Sequence, residues 1–161
     1  VSEVVLRPVD YGVAEVAELE SQVQAEYARR YGGGDDTVLQ PEQFRPPRGL
    51  FLLLTVDGVP SGMGGWRARD ADGRFVQDGD AEVKRMYVVP QAQRQGHART
   101  LLAELERTAA QHGRTRMILE TGMAQPEAIA LYTSAGYTEM GRFGLYAHEE
   151  SARYYAKVLG G

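Results

Sequence analysis

The chain has 161 residues, 43% hydrophobic and 25% charged, with a formal net charge of −4 and no cysteine. That length is expected to form one domain over residues 1–161 with a buried core. Without cysteine there is no disulfide framework, thiolate nucleophile or thiolate zinc site, and the histidines (His97, His112, His148) show no ligand spacing, so no metal is expected. No basic run points to nucleic acid. No apolar stretch reaches the roughly 20 residues of a membrane span, and no signal-peptide pattern opens the chain, so the expected location is the cytoplasm.

Val4 to Val9 reads as a strand, with Asp10 as a helix N-cap candidate. Val16, Leu19, Val23 and Tyr27 then recur at helical spacing, and Gly32-Gly33-Gly34-Asp35-Asp36 ends that helix in a loop. Pro41 to Pro47 is expected to hold a short helical turn. Leu50 to Val56 is a strand apolar on both faces, Asp57-Gly58 a hairpin turn, and Ser61 to Arg69 the return strand, whose Gly62, Gly64 and Gly65 predict a bulge or a close backbone approach. A polar loop, Asp70 to Asp80, leads into a strand from Ala81 to Val89.

That strand opens the most informative block. Gln93-Arg94-Gln95-Gly96-His97-Ala98 has the small residues a backbone needs to wrap a phosphate, and the helix behind it runs to about Gln111. A helix N-terminus offers unpaired N–H groups and partial positive charge, so it can hold a pyrophosphate without a lysine. Met117 to Thr121 is the next strand, parallel to the preceding one through a right-handed crossover. Pro126 starts a helix through Ala128, Ile129, Leu131 and Tyr132, ended near Gly136. Tyr137 to Met140 and Ala152 to Val158 are expected to pair antiparallel.

The loop, together with Ala128-Ile129-Ala130-Leu131-Tyr132 followed by Gly136-Tyr137, resembles the paired signatures of the GNAT superfamily of N-acetyltransferases. The element order fits from the first strand to the last. The resemblance implies an α+β fold with a mixed, mostly antiparallel central sheet, one parallel strand pair at the cofactor site, and helices on both faces. It implies acetyl-CoA as co-substrate, transfer of its acetyl group directly to a primary amine of a small molecule, and, by analogy, a homodimer. By the same resemblance, the backbone of Met86, Tyr87 and Val88 would pair with the pantetheine arm, Gln93, Arg94, Gln95, Gly96, His97, Ala98 and Arg99 would hold the pyrophosphate, and Gln125 stands where the family commonly has an asparagine.

Tyr132 is the candidate to protonate the departing thiolate. The amine is mostly protonated near neutral pH, so a base is needed: Glu82 is the first candidate and Glu120 the second, with ordered water as the third option. Tyr27, Tyr31 and Phe44 are acceptor-pocket candidates beside Glu120, with Arg30 and Trp66 also considered. Lys84 and Arg85, unusual within a central strand, are expected to pair with Glu82, Glu120 or Glu106 or to reach the site mouth. The competing readings are a non-catalytic acyl-CoA-binding module and a different nucleotide-binding enzyme; the second lacks either Gly-rich nucleotide motif.

Overall fold

A computed structural model describes residues 1–71 and 74–160; Asp72 and Gly73 of the polar loop expected from Asp70 to Asp80, and Gly161, lie outside the described residues. The elements run β1 (Val4–Pro8), α1 (Ala14–Tyr31), a 3-10 turn (Pro41–Phe44), β2 (Gly49–Val56), β3 (Val59–Arg69), β4 (Asp80–Val88), a second 3-10 turn (Pro90–Ala92), α2 (His97–Gln111), β5 (Arg116–Gly122), α3 (Pro126–Ser134), β6 (Thr138–Glu139) and β7 (Ala152–Val158). The strands form one seven-stranded sheet in the order β1-β2-β3-β4-β5-β7-β6. Every neighbouring pair is antiparallel except β4 with β5. The expected α+β architecture is therefore the observed one.

Alternation along the strands explains the layers. The apolar run of β2 is buried on both faces because helices lie on both. On one face, α2 inserts Leu101, Leu102 and Leu105 against the sheet, and the Trp66 indole donates to Thr108 Oγ1 at 3.0 Å. α3 joins α2 on that side, where Arg99 donates to Ser134 Oγ at 2.7 Å. On the other face, α1 buries Val16, Leu19 and Val23. Phe44 packs there edge-on to Phe51 and tilted to Tyr11. A side chain at Gly65 would put its Cβ 2.5 Å from Phe51 and 2.9 Å from Phe44, so β3 needs glycine at that contact. The β5–β7 half of this face carries a smaller apolar cluster of Val76, Ile118, Phe143, Tyr154 and Ala156.

Some boundaries differ from the sequence reading. α1 does end where expected, with left-handed Gly32 closing it after Tyr31; Ala28, Arg29 and Arg30 are good helix formers, and Arg30 pairs with Glu26 one turn back at 2.5 Å. Asp10 does not cap α1; the N-cap is Val13, and the Asp10 carboxylate accepts from Arg45 Nε at 3.0 Å instead. β6 shrinks to Thr138–Glu139 at the sheet edge, where only β7 pairs with it.

Candidate active site

The site begins with a defect in β4. Gly65 faces Lys84 while Met63 faces Tyr87, so β4 carries one residue more than β3 across this stretch. Arg85 absorbs it with a left-handed φ of 58°. Such a bulge bends and twists its strand. Pairing of β4 with β5 covers Asp80↔Arg116, Ala81↔Met117 and Glu82↔Ile118 and stops there, although β4 continues to Val88 and β5 to Gly122. The sheet is split at its centre, and the β5-facing edge of Met86, Tyr87 and Val88 is left without a strand partner, as an added extended ligand requires.

Ion pairs fix the bulge. The Arg85 guanidinium is buried at 5% exposure, lies 2.9 Å from Glu20 of α1, and also pairs with Asp35 in the loop after α1. Lys84 Nζ reaches the same Asp35 carboxylate at 3.3 Å. Burial opposes ionisation of Asp35, but Lys84 and Arg85 outweigh it and lower its carboxyl to about 2. Lys84 therefore pairs with Asp35 and Arg85 with Asp35 and Glu20, not with Glu82, Glu120 or Glu106; of the expected alternatives it is the site mouth, where Asp35 lies, that they reach. The partners are distant in sequence, and no local spacing announces them.

Past the split, the chain turns through Pro90–Ala92 into α2. Gly96 is the N-cap at φ 83°, and no side chain caps the helix. The first-turn N–H groups are thus left for solvent or an anion. A Cβ at Gly96 would meet nothing within 4 Å, so the glycine serves the left-handed turn and leaves its outer side open to a ligand. Gln93 Nε2 donates to the Val88 carbonyl at 2.9 Å, tying the loop to the end of β4. Arg94 and Gln95 are exposed, and Arg94 is also left-handed, at φ 64°. The His97 side chain is buried with an unpartnered Nε2, so that residue has its backbone to offer the loop. Open N–H groups, a small-residue cradle and an unpaired strand edge in sequence fit the pyrophosphate and pantetheine of acetyl-CoA.

A cavity of about 380 Å³ lies beside the C-terminal end of β5, lined by Tyr27 and Tyr31 of α1, Asp35, Glu120, Gln125, Tyr146 and Glu149, among others. Burial pushes the Glu120 carboxyl up to about 7, against the opposing pull of Lys84. Tyr154 stands directly across from Glu120 on β7, where its hydroxyl helps hold the Glu120 carboxyl down and, after burial, the carboxylate in turn raises the phenol. Tyr31 donates to Gln125 Oε1 at 3.0 Å, joining α1 to the start of α3.

Of the residues expected here, Tyr27, Tyr31, Glu120 and Gln125 line the cavity. Phe44 does not. It is 2% exposed in the aromatic cluster against Gly65, on the β2–β3 half of the sheet. Trp66 likewise belongs to the core on the α2 face. Glu82 does not line the cavity either: its Oε1 accepts from Arg67 Nε at 3.0 Å and Arg69 Nη1 at 2.8 Å, and the residue is 4% exposed. Tyr132 lies outside the cavity wall, edge-on to Tyr137 at 5.7 Å. Burial raises its phenol to about 12, and its hydroxyl makes no hydrogen bond among the described residues. It is near enough to Tyr27 to help raise that phenol, which burial raises most, Arg85 opposes and Asp35 also raises. These two tyrosines approach from opposite faces because the sheet is split between them. Sequence reasoning missed Tyr146, Glu149 and Tyr154. The first two lie in a stretch without periodicity, and Tyr154 was read only as part of a strand.

The split sheet, the uncapped helix behind it and the carboxylate-bearing cavity define an acyl-CoA-dependent transferase. The chain belongs to the acetyltransferase (GNAT) family, whose model matches residues 16–137. It is 32% identical over 129 residues to an "IAA acetyltransferase" of Azospirillum brasilense, covering 80% of each protein. Its fold is similar to that of an acyl-CoA N-acyltransferase from Klebsiella pneumoniae, with a TM-score of 0.79 and 27% identity over 98% of both chains. It is also similar, at fold level, to an acetyltransferase from Salmonella typhimurium solved with acetyl-CoA, with a TM-score of 0.67 and 18% identity over 98% of this chain and 94% of that one. The protein is an acetyltransferase of a family that uses acetyl-CoA. Among the described residues no group of three or more His, Asp or Glu is placed to hold a metal ion, and no helix is long and apolar enough to cross a membrane.

Proposed function

We infer that the protein acetylates a primary amine of a small molecule, with the acceptor in the cavity at Glu120. The observation that carries this is the position of Glu120 on the wall of that cavity, on the strand that diverges from β4 at the split, with its carboxyl raised to about 7 by burial. A carboxylate so raised is basic enough to take a proton from an ammonium and is ionised in a useful fraction at neutral pH. Glu82, held by two guanidiniums outside the cavity, lacks that access. The base assignment therefore moves to Glu120, directly or through a water.

Acetyl-CoA supplies an activated thioester. Backbone N–H groups from Gln93 to Arg99 hold its pyrophosphate, and the open edge of Met86, Tyr87 and Val88 aligns its arm. Glu120 takes one proton from the ammonium, leaving a neutral nitrogen to bond to the acetyl carbon as the carbon–sulfur bond breaks. Tyr132 gives its proton to the leaving sulfur and is reprotonated from the acetylated nitrogen. The products are an amide, a free thiol and one proton released through Glu120. A phenol raised to about 12 by burial keeps its proton until a thiolate forms nearby.

Calorimetric titration with acetyl-CoA and CoA, with ATP and NAD as controls, followed by thiol release over an amine panel, tests the reading. Selective CoA binding with amine-dependent thiol release supports it. Binding without turnover on any amine makes the protein an acyl-CoA-binding module, and absence of CoA binding refutes the site altogether.

A further inference from the structure

We propose that the acceptor is a cationic amine that carries no carboxylate, of single-ring or short-chain size, and that amino acids are rejected; this rests on the Glu120 cavity being the acceptor site. The cavity wall presents three carboxylates, Asp35, Glu120 and Glu149, and no lysine, arginine or histidine among the described residues. Three cations close by are held in ion pairs. Lys84 and Arg85 both pair with Asp35, and Arg85 also pairs with Glu20. At the rim, Arg30 pairs with Glu26 at 2.5 Å and Glu127 at 2.8 Å and donates to the Ala124 carbonyl at 2.6 Å. Arg142 donates to the Ala147 and Glu149 carbonyls and Arg153 to the Glu150 and Ala152 carbonyls, so among the described residues no cation stands on the wall to meet an anion.

The geometry of an α-amino acid makes this decisive. Its carboxylate sits on the carbon that bears the reacting nitrogen, so placing that nitrogen at Glu120 forces two carboxylates within about 5 Å of each other. Two like charges at that distance, in surroundings between water and protein interior, give about ten- to a hundredfold discrimination. A cation gains where the anion loses. The tyrosines at 27, 31 and 146 offer ring faces and edges for an organic ammonium and for a flat apolar body. A volume of about 380 Å³ is near the lower end of small-ligand sites.

The test compares 2-phenylethylamine, phenylalanine and phenylalaninamide by thiol release at saturating acetyl-CoA. The amide keeps the bulk of the carboxyl group and removes its charge. The expected result is kcat/KM at least tenfold higher for the amine and the amide than for phenylalanine. Glu149→Arg, which places a cation on the wall, is expected to narrow that ratio at least threefold. Phenylalanine equal to or better than the amine overturns the proposal, as does an amide as poor as the acid, which would make size and not charge the discriminator. Calorimetric binding of the three probes to the protein with CoA reads the same ratio without turnover. Binding of none of them overturns the cavity's role as acceptor site, a failure distinct from a carboxylate preference.

Discussion

Glu120→Gln is expected to separate activity from stability. In the folded protein burial raises the carboxyl from 4.5 to about 7, so the ionised form is disfavoured by the fold. Below pH 4.5 the group is protonated in both the folded and unfolded states and costs nothing. Between pH 4.5 and about 7 the unfolded state gives up this proton while the folded state keeps it, so stability is lost across that window and the cost is constant above it. The difference corresponds to about 3 kcal/mol at most, and to about 2 kcal/mol once partial solvent access is allowed for. Glutamine keeps the size and removes the charge. The variant is therefore expected to gain about 2 kcal/mol over the native protein at pH 8, roughly 4–8 °C in Tm, and nothing at pH 4. Its kcat/KM at pH 7 is expected to fall about a hundredfold, the low end of general-base catalysis. The rise in the native pH–rate profile near pH 7 should disappear with it. Thermal unfolding at the two pH values and thiol release from pH 5.5 to 9 check both halves. A native-like pH profile in the variant would refute the base assignment, and equal Tm at pH 8 would refute the buried-charge reasoning behind it.

Tyr132→Phe is expected to lower kcat about ten- to a hundredfold with acetyl-CoA affinity unchanged by calorimetry; because the hydroxyl has no partner, Tm should move by less than about 2 °C. Glu82→Gln should do the reverse. Removing one partner of a buried ion pair with Arg67 and Arg69 costs about 3 kcal/mol, seen in chemical denaturation, while the pH–rate profile of the folded fraction keeps its native shape. Gly96→Val forces a β-branched residue into φ 83°, at a cost of roughly 1–2 kcal/mol, and directs its methyls to the outer side, where no protein atom lies within 4 Å. CoA affinity by calorimetry should drop at least tenfold in a protein that remains folded by circular dichroism.

What the sequence made legible follows from how local each cause is. The α2 N-terminus could be read because its determinants, a left-handed glycine and a small residue two positions on, sit within one turn of the helix they start. The parallel pair was legible because a helix of about 15 residues between two strands leaves few other connections. The bulge was only half legible. The glycines of β3 announced an irregularity, but the extra residue sits in β4, at Arg85, where a positive φ is unfavourable for an arginine. It persists because Glu20 and Asp35, 65 and 50 residues away in the chain, pull the guanidinium over the α1 face. Pairing with another strand also sets the place of Glu82. Its place on the strand before the phosphate loop matched a base, whereas Arg67 and Arg69 on β3 hold its carboxylate away from the cavity. Glu120 looked like the weaker candidate because its environment is supplied by α1, the loop at Asp35 and β7, which the fold alone brings together.

That dependence has a consequence for the chemistry. Asp35 belongs at once to the acceptor cavity and to the ion pairs that hold the β4 bulge. The bulge keeps β4 and β5 apart, and their separation opens the cofactor edge. The proposed donor and acceptor sites thus share one electrostatic cluster, in which Lys84 opposes the burial that raises Glu120. An ammonium entering the cavity adds a positive charge beside Glu120 and favours its ionised form. Under the proposed function, the substrate itself draws Glu120 toward the protonation state that can remove its proton, and a neutral analogue of the same shape would not.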